Sequence, residues 1–145
     1  MPGASNVKAS KEVKKRFRNA IINNDRLYVP FVCICELGNH IAHVQDGAIR
    51  RNLALKLIDT VRSSINDGNP WTITPSEGLS ELLTNCREFE SYCEMGIGLT
   101  DTLVIIESVR LKKRYSGLGY SIHIWTMDKA IKSHEPEKEE AAFLG

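Results

Sequence analysis

Apolar residues recur at intervals of three and four positions in five parts of the chain, the spacing that places them on one face of a helix. The predicted helices cover residues 9–23, 31–44, 54–65, 75–93 and 101–115. Three shorter runs are rich in β-branched and aromatic residues and predict strands, namely DRLYVP (25–30), WTIT (71–74) and SIHIWT (121–126). Clusters of turn-forming residues separate these elements, as in NDGNP and SGLG.

Two helix boundaries follow from local signals. Gly47 is predicted to end the helix that begins after Pro30, because glycine favours breaks. The segment TPSE predicts the start of the fourth helix, with Thr74 as its N-cap and Glu77 closing a capping box.

Strands that alternate with helices predict a parallel sheet whose two faces the helices cover. The expected class is therefore α/β, in one domain spanning residues 1–145, because 42% hydrophobic and 26% charged residues are typical of a globular chain of this length. The acidic segment EPEKEE begins a predicted solvated tail at 135–145.

The formal net charge of +1 does not by itself indicate a nucleic-acid or membrane partner. No segment has the apolar length that a bilayer requires, and the basic N-terminus lacks the apolar run of a signal peptide, so a cytoplasmic location without a membrane is expected. Cys86 and Cys93 are predicted to be reduced core thiols, since both share a helical face with Leu79, Leu82 and Phe89.

Three acids lie where parallel sheets bind ligands, at or beyond the carboxyl ends of predicted strands and in the following helices. Asp128 follows SIHIWT, Glu36 lies in the helix after RLYVP, and Asp101 opens an apolar helix after a glycine-containing loop. Converging carboxylates repel one another unless a cation lies between them, and hard oxygen ligands suit Mg²⁺ or Mn²⁺.

Each acid also has a simpler interpretation. Asp101 can serve as a helix cap or first-turn acid, Asp128 as a turn residue, and Glu36 as a surface acid. Glu36 follows an apolar run, so its charge is expected at the edge of a buried surface.

Three motifs resemble those of the PIN domain family, in the family's order and spacing over nearly the whole chain. VPFVCICELGNHIAHV is similar to its second acidic motif, GLTDTLVIIESVRLKK to its third, and IHIWTMDKAI to its last, with a threonine two residues before the aspartate. The set most resembles the small bacterial VapC-type ribonuclease toxins.

This resemblance implies a three-layer α/β/α sandwich with a central parallel sheet and a metal-dependent endoribonuclease activity. Glu36, Asp101 and Asp128 would bind Mg²⁺ or Mn²⁺ or orient the attacking water, and Thr126 would supply a supporting hydroxyl. It also implies that the helix N-terminus keeps Asp101 ionised. An RNA substrate, an antitoxin protein and a homodimer are the partners that it suggests.

PIN domains begin with a strand that ends in an aspartate, whereas this sequence begins with a predicted loop and helix whose only acid is Glu12. If Met1 is an internal methionine of a longer reading frame, the preceding DNA is expected to encode that strand. Without it, a catalytically incomplete binding or assembly module, which would dock an antitoxin-like peptide, is the alternative.

Basic residues form two candidate RNA-binding clusters. The first is Lys11, Lys14, Lys15 and Arg18, on one helical face. The second is Arg110, Lys112, Lys113 and Arg114, at the end of the Asp101 helix. A zinc site from Glu36, His40 and His43, spaced i, i+4, i+7, is a further alternative, although the H-E-x-x-H pattern is absent.

Overall fold

A computed structural model describes residues 4–75 and 78–138 of the chain, with side chains from residue 7 onwards. Its elements, in chain order, are α1 (Ala4–Ile22), β1 (Tyr28–Pro30), α2 (Phe31–Ala42), α3 (Gly47–Asp67), β2 (Thr72–Thr74), α4 (Leu79–Glu94), α5 (Leu99–Arg114) and α6 (Lys129–Lys132). The described residues divide into a first unit (4–29 and 38–74) and a second unit (30–37, 75 and 78–138).

The helical spacing of apolar residues predicted five helices, and the structure contains all five as α1 to α5. Their exact ends differ where a cap decides the boundary. Gly47 begins α3 rather than ending α2, because the Asp46 side chain accepts a hydrogen bond from the Ile49 N–H, 2.9 Å away. Gly78 is the N-cap of α4, so the predicted cap at Thr74 is wrong, and Glu77 lies outside the described residues.

The first unit contains a two-stranded parallel sheet formed by β1 and β2. Leu27 O accepts a hydrogen bond from Thr72 N at 2.7 Å, and α3 packs against β2. Proline limits both strands, since Pro30 is the last residue of β1 and Pro75 follows β2. Without a backbone N–H, proline cannot continue a ladder of hydrogen bonds.

The predicted α/β/α sandwich with a central parallel sheet is therefore wrong. The structure is 65% helical, and its described residues contain only the short parallel pair β1–β2. The third predicted strand, SIHIWT, has no regular secondary structure between residues 121 and 126 and belongs to no sheet in the described chain.

The second unit has a small aliphatic core. Ile97, Ile105, Ile124 and Ile131 are buried together, and Tyr92 and Val104 pack against them. These residues come from α4, α5, α6 and the two irregular segments between them, and α4 packs directly on α5. This core joins the segment that precedes Asp128 to the helix that carries Asp101.

Two carboxylates take the place of a neighbouring strand beside SIHIWT. Glu135 Oε1 accepts hydrogen bonds from Ile124 N at 2.9 Å and from Lys132 Nζ at 2.6 Å. Glu137 Oε2 accepts one from Ile122 N at 2.9 Å, and Glu137 also pairs with Lys112 of α5. In a sheet, the N–H groups of Ile122 and Ile124 would donate to carbonyl oxygens of a neighbouring strand. Here the two carboxylates accept these hydrogen bonds instead.

This arrangement corrects the predicted solvated tail at its first positions. Glu135 is only 8% exposed and Glu137 is half-buried. A buried carboxylate is stable only when it is paired and hydrogen-bonded, which Lys132 and the backbone of Ile124 provide. Residues 139–145 of that prediction lie outside the described residues.

One face of α4 remains exposed. Leu79 is 85% exposed, and Leu82 and Leu83 are also largely exposed. Cys86 and Cys93 are free thiols on the surface, so their predicted core position is wrong. Among the described residues, no helix combines the length and the apolar character needed to cross a membrane.

Substitution of Ile105 tests whether its side chain lies in the core. Its side chain is 1% exposed, so Ile105→Ala is expected to lower the free energy of unfolding in urea by about 2–5 kcal/mol. Ile65→Ala is the matched control, because Ile65 also lies in a helix but is 70% exposed. Equal losses in the two variants would contradict this assignment of the core.

Glu135→Ala is expected to destabilise the chain by roughly 3 kcal/mol, because Ile124 N and the mostly buried ammonium of Lys132 lose the carboxylate that accepts from both. Glu135→Gln should cost less, since the amide oxygen can still accept from Ile124 N. Urea unfolding checks both variants, with Glu90→Ala on the exposed surface of α4 as the control. A loss in Glu135→Ala no larger than in the control would show that the carboxylate does not anchor the segment.

Candidate functional site

Asp101 lies in the first turn of α5, but it does not cap the helix. The N-cap is Gly98, whose carbonyl oxygen accepts hydrogen bonds from Thr102 N and Thr102 Oγ1, both at 2.9 Å. Thr102 is fully buried, which fixes the first turn against the core. The capping interpretation of Asp101 is therefore wrong, and only its first-turn position near the positive end of the helix dipole remains.

The three predicted acids come within electrostatic range of one another. Burial raises the pKa of the Asp101 carboxyl, and the charges of Glu36 and Asp128 raise that pKa further. All three residues belong to the second unit, on α2, α5 and the start of α6. The expectation that the helix N-terminus keeps Asp101 ionised is opposed by these effects, which favour its neutral form.

Cys33 is a neighbour of this site that the sequence analysis did not assign. Burial, followed by the charges of Glu36 and Asp101, raises the pKa of its thiol to about 11. The thiol therefore stays protonated at neutral pH and is a poor nucleophile. Its spacing of three residues from Glu36 on α2 was the available signal, since such pairs share a helical face.

Asp128 is held by the helix that it begins. Its Oδ1 accepts hydrogen bonds from Ala130 N at 2.8 Å and from Ile131 N at 3.4 Å. Thr126 Oγ1 accepts one from Asp128 N at 3.1 Å, so Thr126 fixes the turn that carries the aspartate. Glu36 and Asp128 are exposed, and Asp101 is half-buried.

The donor atoms of these residues suit a hard divalent cation, but their spacing is not that of a closed chelating site. Three carboxylates offer oxygen ligands of the kind that Mg²⁺ and Mn²⁺ prefer. Among the described residues, no group of three or more His, Cys, Asp or Glu side chains is close enough to hold a metal ion. Cation binding would require the exposed carboxylates to move towards Asp101.

The second basic cluster is partly engaged in ion pairs. Arg110 donates to Glu81 of α4 at 2.5 Å and to Glu107 at 3.1 Å, and Lys112 pairs with Glu137. These contacts link α5 to its neighbours and leave less charge for phosphate. Lys113 and Arg114 are exposed. The first cluster lies on α1, in the first unit, with Lys11, Lys14, Lys15 and Arg18 exposed.

The zinc alternative gains no support from the geometry. His43 Nδ1 lies 2.6 Å from the carbonyl oxygen of Asn39 and donates a hydrogen bond to it within its own helical turn. Within the described chain, Glu36, His40 and His43 do not form a group that could hold a metal ion.

Comparisons of the chain with protein-family models, curated proteins and solved structures give no significant match.

The raised pKa of Asp101 predicts a pH-dependent effect of Asp101→Asn. A carboxyl whose pKa is higher in the folded than in the unfolded chain stabilises the fold fully below its unfolded pKa, and this stabilisation is lost as pH rises through the folded pKa. Without divalent cations, the variant should therefore gain melting temperature relative to the wild type between about pH 4 and about pH 7.

The control for this measurement is Asp25→Asn, at an exposed aspartate of the first unit. Its difference in melting temperature from the wild type should not show the same increase with pH. A constant difference for Asp101→Asn over this pH range would show that Glu36 and Asp128 do not act on Asp101.

Proposed function

We propose that the chain is a metal-dependent endoribonuclease whose carboxylates Glu36, Asp101 and Asp128 hold Mg²⁺ or Mn²⁺ in the second unit. The observation that carries this proposal is the raised pKa of Asp101, which has the charges of Glu36 and Asp128 among its causes. Carboxylates from three elements that act on one another are a feature of cation sites. The order of the three acidic motifs supports the same reaction class.

In this proposal, Glu36 and Asp128 bind the cation and Thr126 positions Asp128. Asp128 uses Oδ1 to cap α6, so we assign its Oδ2 to the cation. Glu36 is exposed, and its flexible side chain can approach Asp101 from α2. When bound, a divalent cation would lower the pKa of the water that it binds and place a positive charge beside the phosphate. Thr126 would act as a positioning residue through its hydrogen bond with Asp128 N.

Asp101 would act as a cation ligand in this proposal. Its raised pKa belongs to the cation-free chain. Binding of a cation beside it would favour the ionised form and lower that pKa again. In this proposal the RNA is cytoplasmic, an antitoxin-like protein regulates the activity, and the chain forms a homodimer.

The proposal predicts that Glu36→Gln, Asp101→Asn and Asp128→Asn each lower Mn²⁺-dependent cleavage of single-stranded RNA by about a hundredfold. Each substitution removes one anionic ligand while it preserves side-chain size. The measurement is the single-turnover cleavage rate with and without EDTA, together with Mn²⁺ affinity by calorimetry. The Asp25→Asn variant should retain both the wild-type rate and the wild-type Mn²⁺ affinity.

Equal Mn²⁺ affinity and equal cleavage in all variants would contradict the proposal. Cleavage that persists in Asp101→Asn at the wild-type rate would show that Asp101 has no part in the reaction.

A binding or assembly module is the second candidate, and one feature favours it. The exposed apolar residues Leu79, Leu82 and Leu83 on α4 form a surface larger than scattered single side chains would give. This function requires no cation at the acids. Absence of Mn²⁺ binding in the wild-type chain would therefore favour the module over the nuclease.

A further inference from the structure

Two tyrosines meet at the surface where α5 ends. Tyr115 is the C-cap of α5, and the loop of residues 116–119 returns the chain so that the rings of Tyr115 and Tyr120 lie edge to face, with centroids 5.2 Å apart. Tyr120 is 50% exposed, and Tyr115 is half-buried. Aromatic surface is thus available to solvent at this end of the helix.

The loop geometry depends on two glycines. Gly117 and Gly119 have φ values of 76° and 77°, a left-handed conformation that side chains with a Cβ disfavour. Leu118 N donates to the carbonyl oxygen of Tyr115 at 3.2 Å, which closes the turn and presents the exposed Leu118 at its tip. The backbone of this loop therefore brings Tyr120 back towards Tyr115.

Positive charge adjoins the rings. The Arg114 guanidinium carbon lies 5.7 Å from the centroid of the Tyr115 ring, within the range of a cation–π contact. Lys113 is exposed beside it. Arg114 also lowers the pKa of Glu107, although burial raises that pKa more, and Lys112 is paired with Glu137. The excess charge is consequently small, so charge alone would hold a polyanion weakly.

We propose that Tyr115, Tyr120 and Arg114 form a stacking platform for the bases of single-stranded RNA. Exposed aromatic rings with an adjacent guanidinium are the features by which proteins hold unpaired bases, and Lys113 and Arg114 can contact the phosphates between them. A peptide or membrane partner is less favoured, because the two rings are ordered against each other and the adjacent charge is cationic. This inference rests on the proposed function for the choice of RNA as ligand.

The platform lies at the opposite end of α5 from Asp101. Tyr115 lies fourteen positions after Asp101 along the helix, which corresponds to about 21 Å at the helical rise. The platform would therefore bind nucleotides several positions away from the scissile phosphate. It would determine affinity for unpaired RNA and leave the chemical step to the acids.

The test is fluorescence anisotropy of a labelled single-stranded oligouridylate with the full chain in EDTA. Tyr120→Ala should weaken binding about tenfold, since one base–aromatic stack is lost. Tyr120→Phe keeps the ring and should bind as the wild type does. Lys113→Ala should reduce the salt dependence of binding by about 0.7 in the logarithmic slope, whereas Lys8→Ala should not change it.

Double-stranded RNA of the same sequence length should bind more weakly than the single strand, because its bases are already stacked. Equal affinity for the two forms, or wild-type affinity in Tyr120→Ala, would overturn the platform. Asp101→Asn should bind the oligouridylate normally in EDTA. Both proposals predict that Asp101→Asn loses cleavage and keeps this binding. The nuclease proposal can therefore fail while the platform stands, and the platform can fail while the nuclease proposal stands.

Discussion

The second unit depends on the burial of one carboxylate. Glu135 accepts hydrogen bonds from Ile124 N and Lys132 Nζ, and Lys132 Nζ also donates to Ile124 O at 3.0 Å. These contacts hold Ile124 beside α6 without a sheet. Ile124 and Ile131 both belong to the buried core of this unit. Asp128 lies between them in the sequence, at the start of α6.

Packing fixes the Asp101 carboxyl at a position where electrostatics disfavours its ionised form. The buried Thr102 and Ile105 fix the first turn of α5 on the core, and this places the neighbouring carboxyl in a partly desolvated position near Glu36 and Asp128. Burial, and then repulsion from Glu36 and Asp128, disfavours the ionised form of Asp101, which is the common basis of the nuclease proposal and the predicted pH dependence.

The sequence predicted local structure better than it predicted which segments pair. Helical spacing located α1 to α5, and the β-favouring runs located β1 and β2. The SIHIWT run was wrongly predicted to be a strand, because period and propensity do not specify a partner, and here carboxylates from residues 135 and 137 accept from its backbone N–H groups. The salt bridge between Arg110 and Glu81 could not be predicted from the sequence either, because the packing of α4 on α5 brings the two residues together. The three acids were grouped as lying at the carboxyl ends of parallel strands, but neither Asp101 nor Asp128 follows a strand in the described chain, and what links the three is the effect of Glu36 and Asp128 on the pKa of Asp101.

The mutual influence of Glu36, Asp101 and Asp128 can be measured most directly by NMR titration of the Asp101 carboxyl carbon. The titration would be recorded in cation-free wild type, Glu36→Gln and Asp128→Asn. If the three carboxylates act as one electrostatic group, the pKa of Asp101 lies above its ordinary value in the wild type and falls in both variants. An Asp101 pKa that is ordinary in the wild type, or that neither substitution changes, would contradict a shared site.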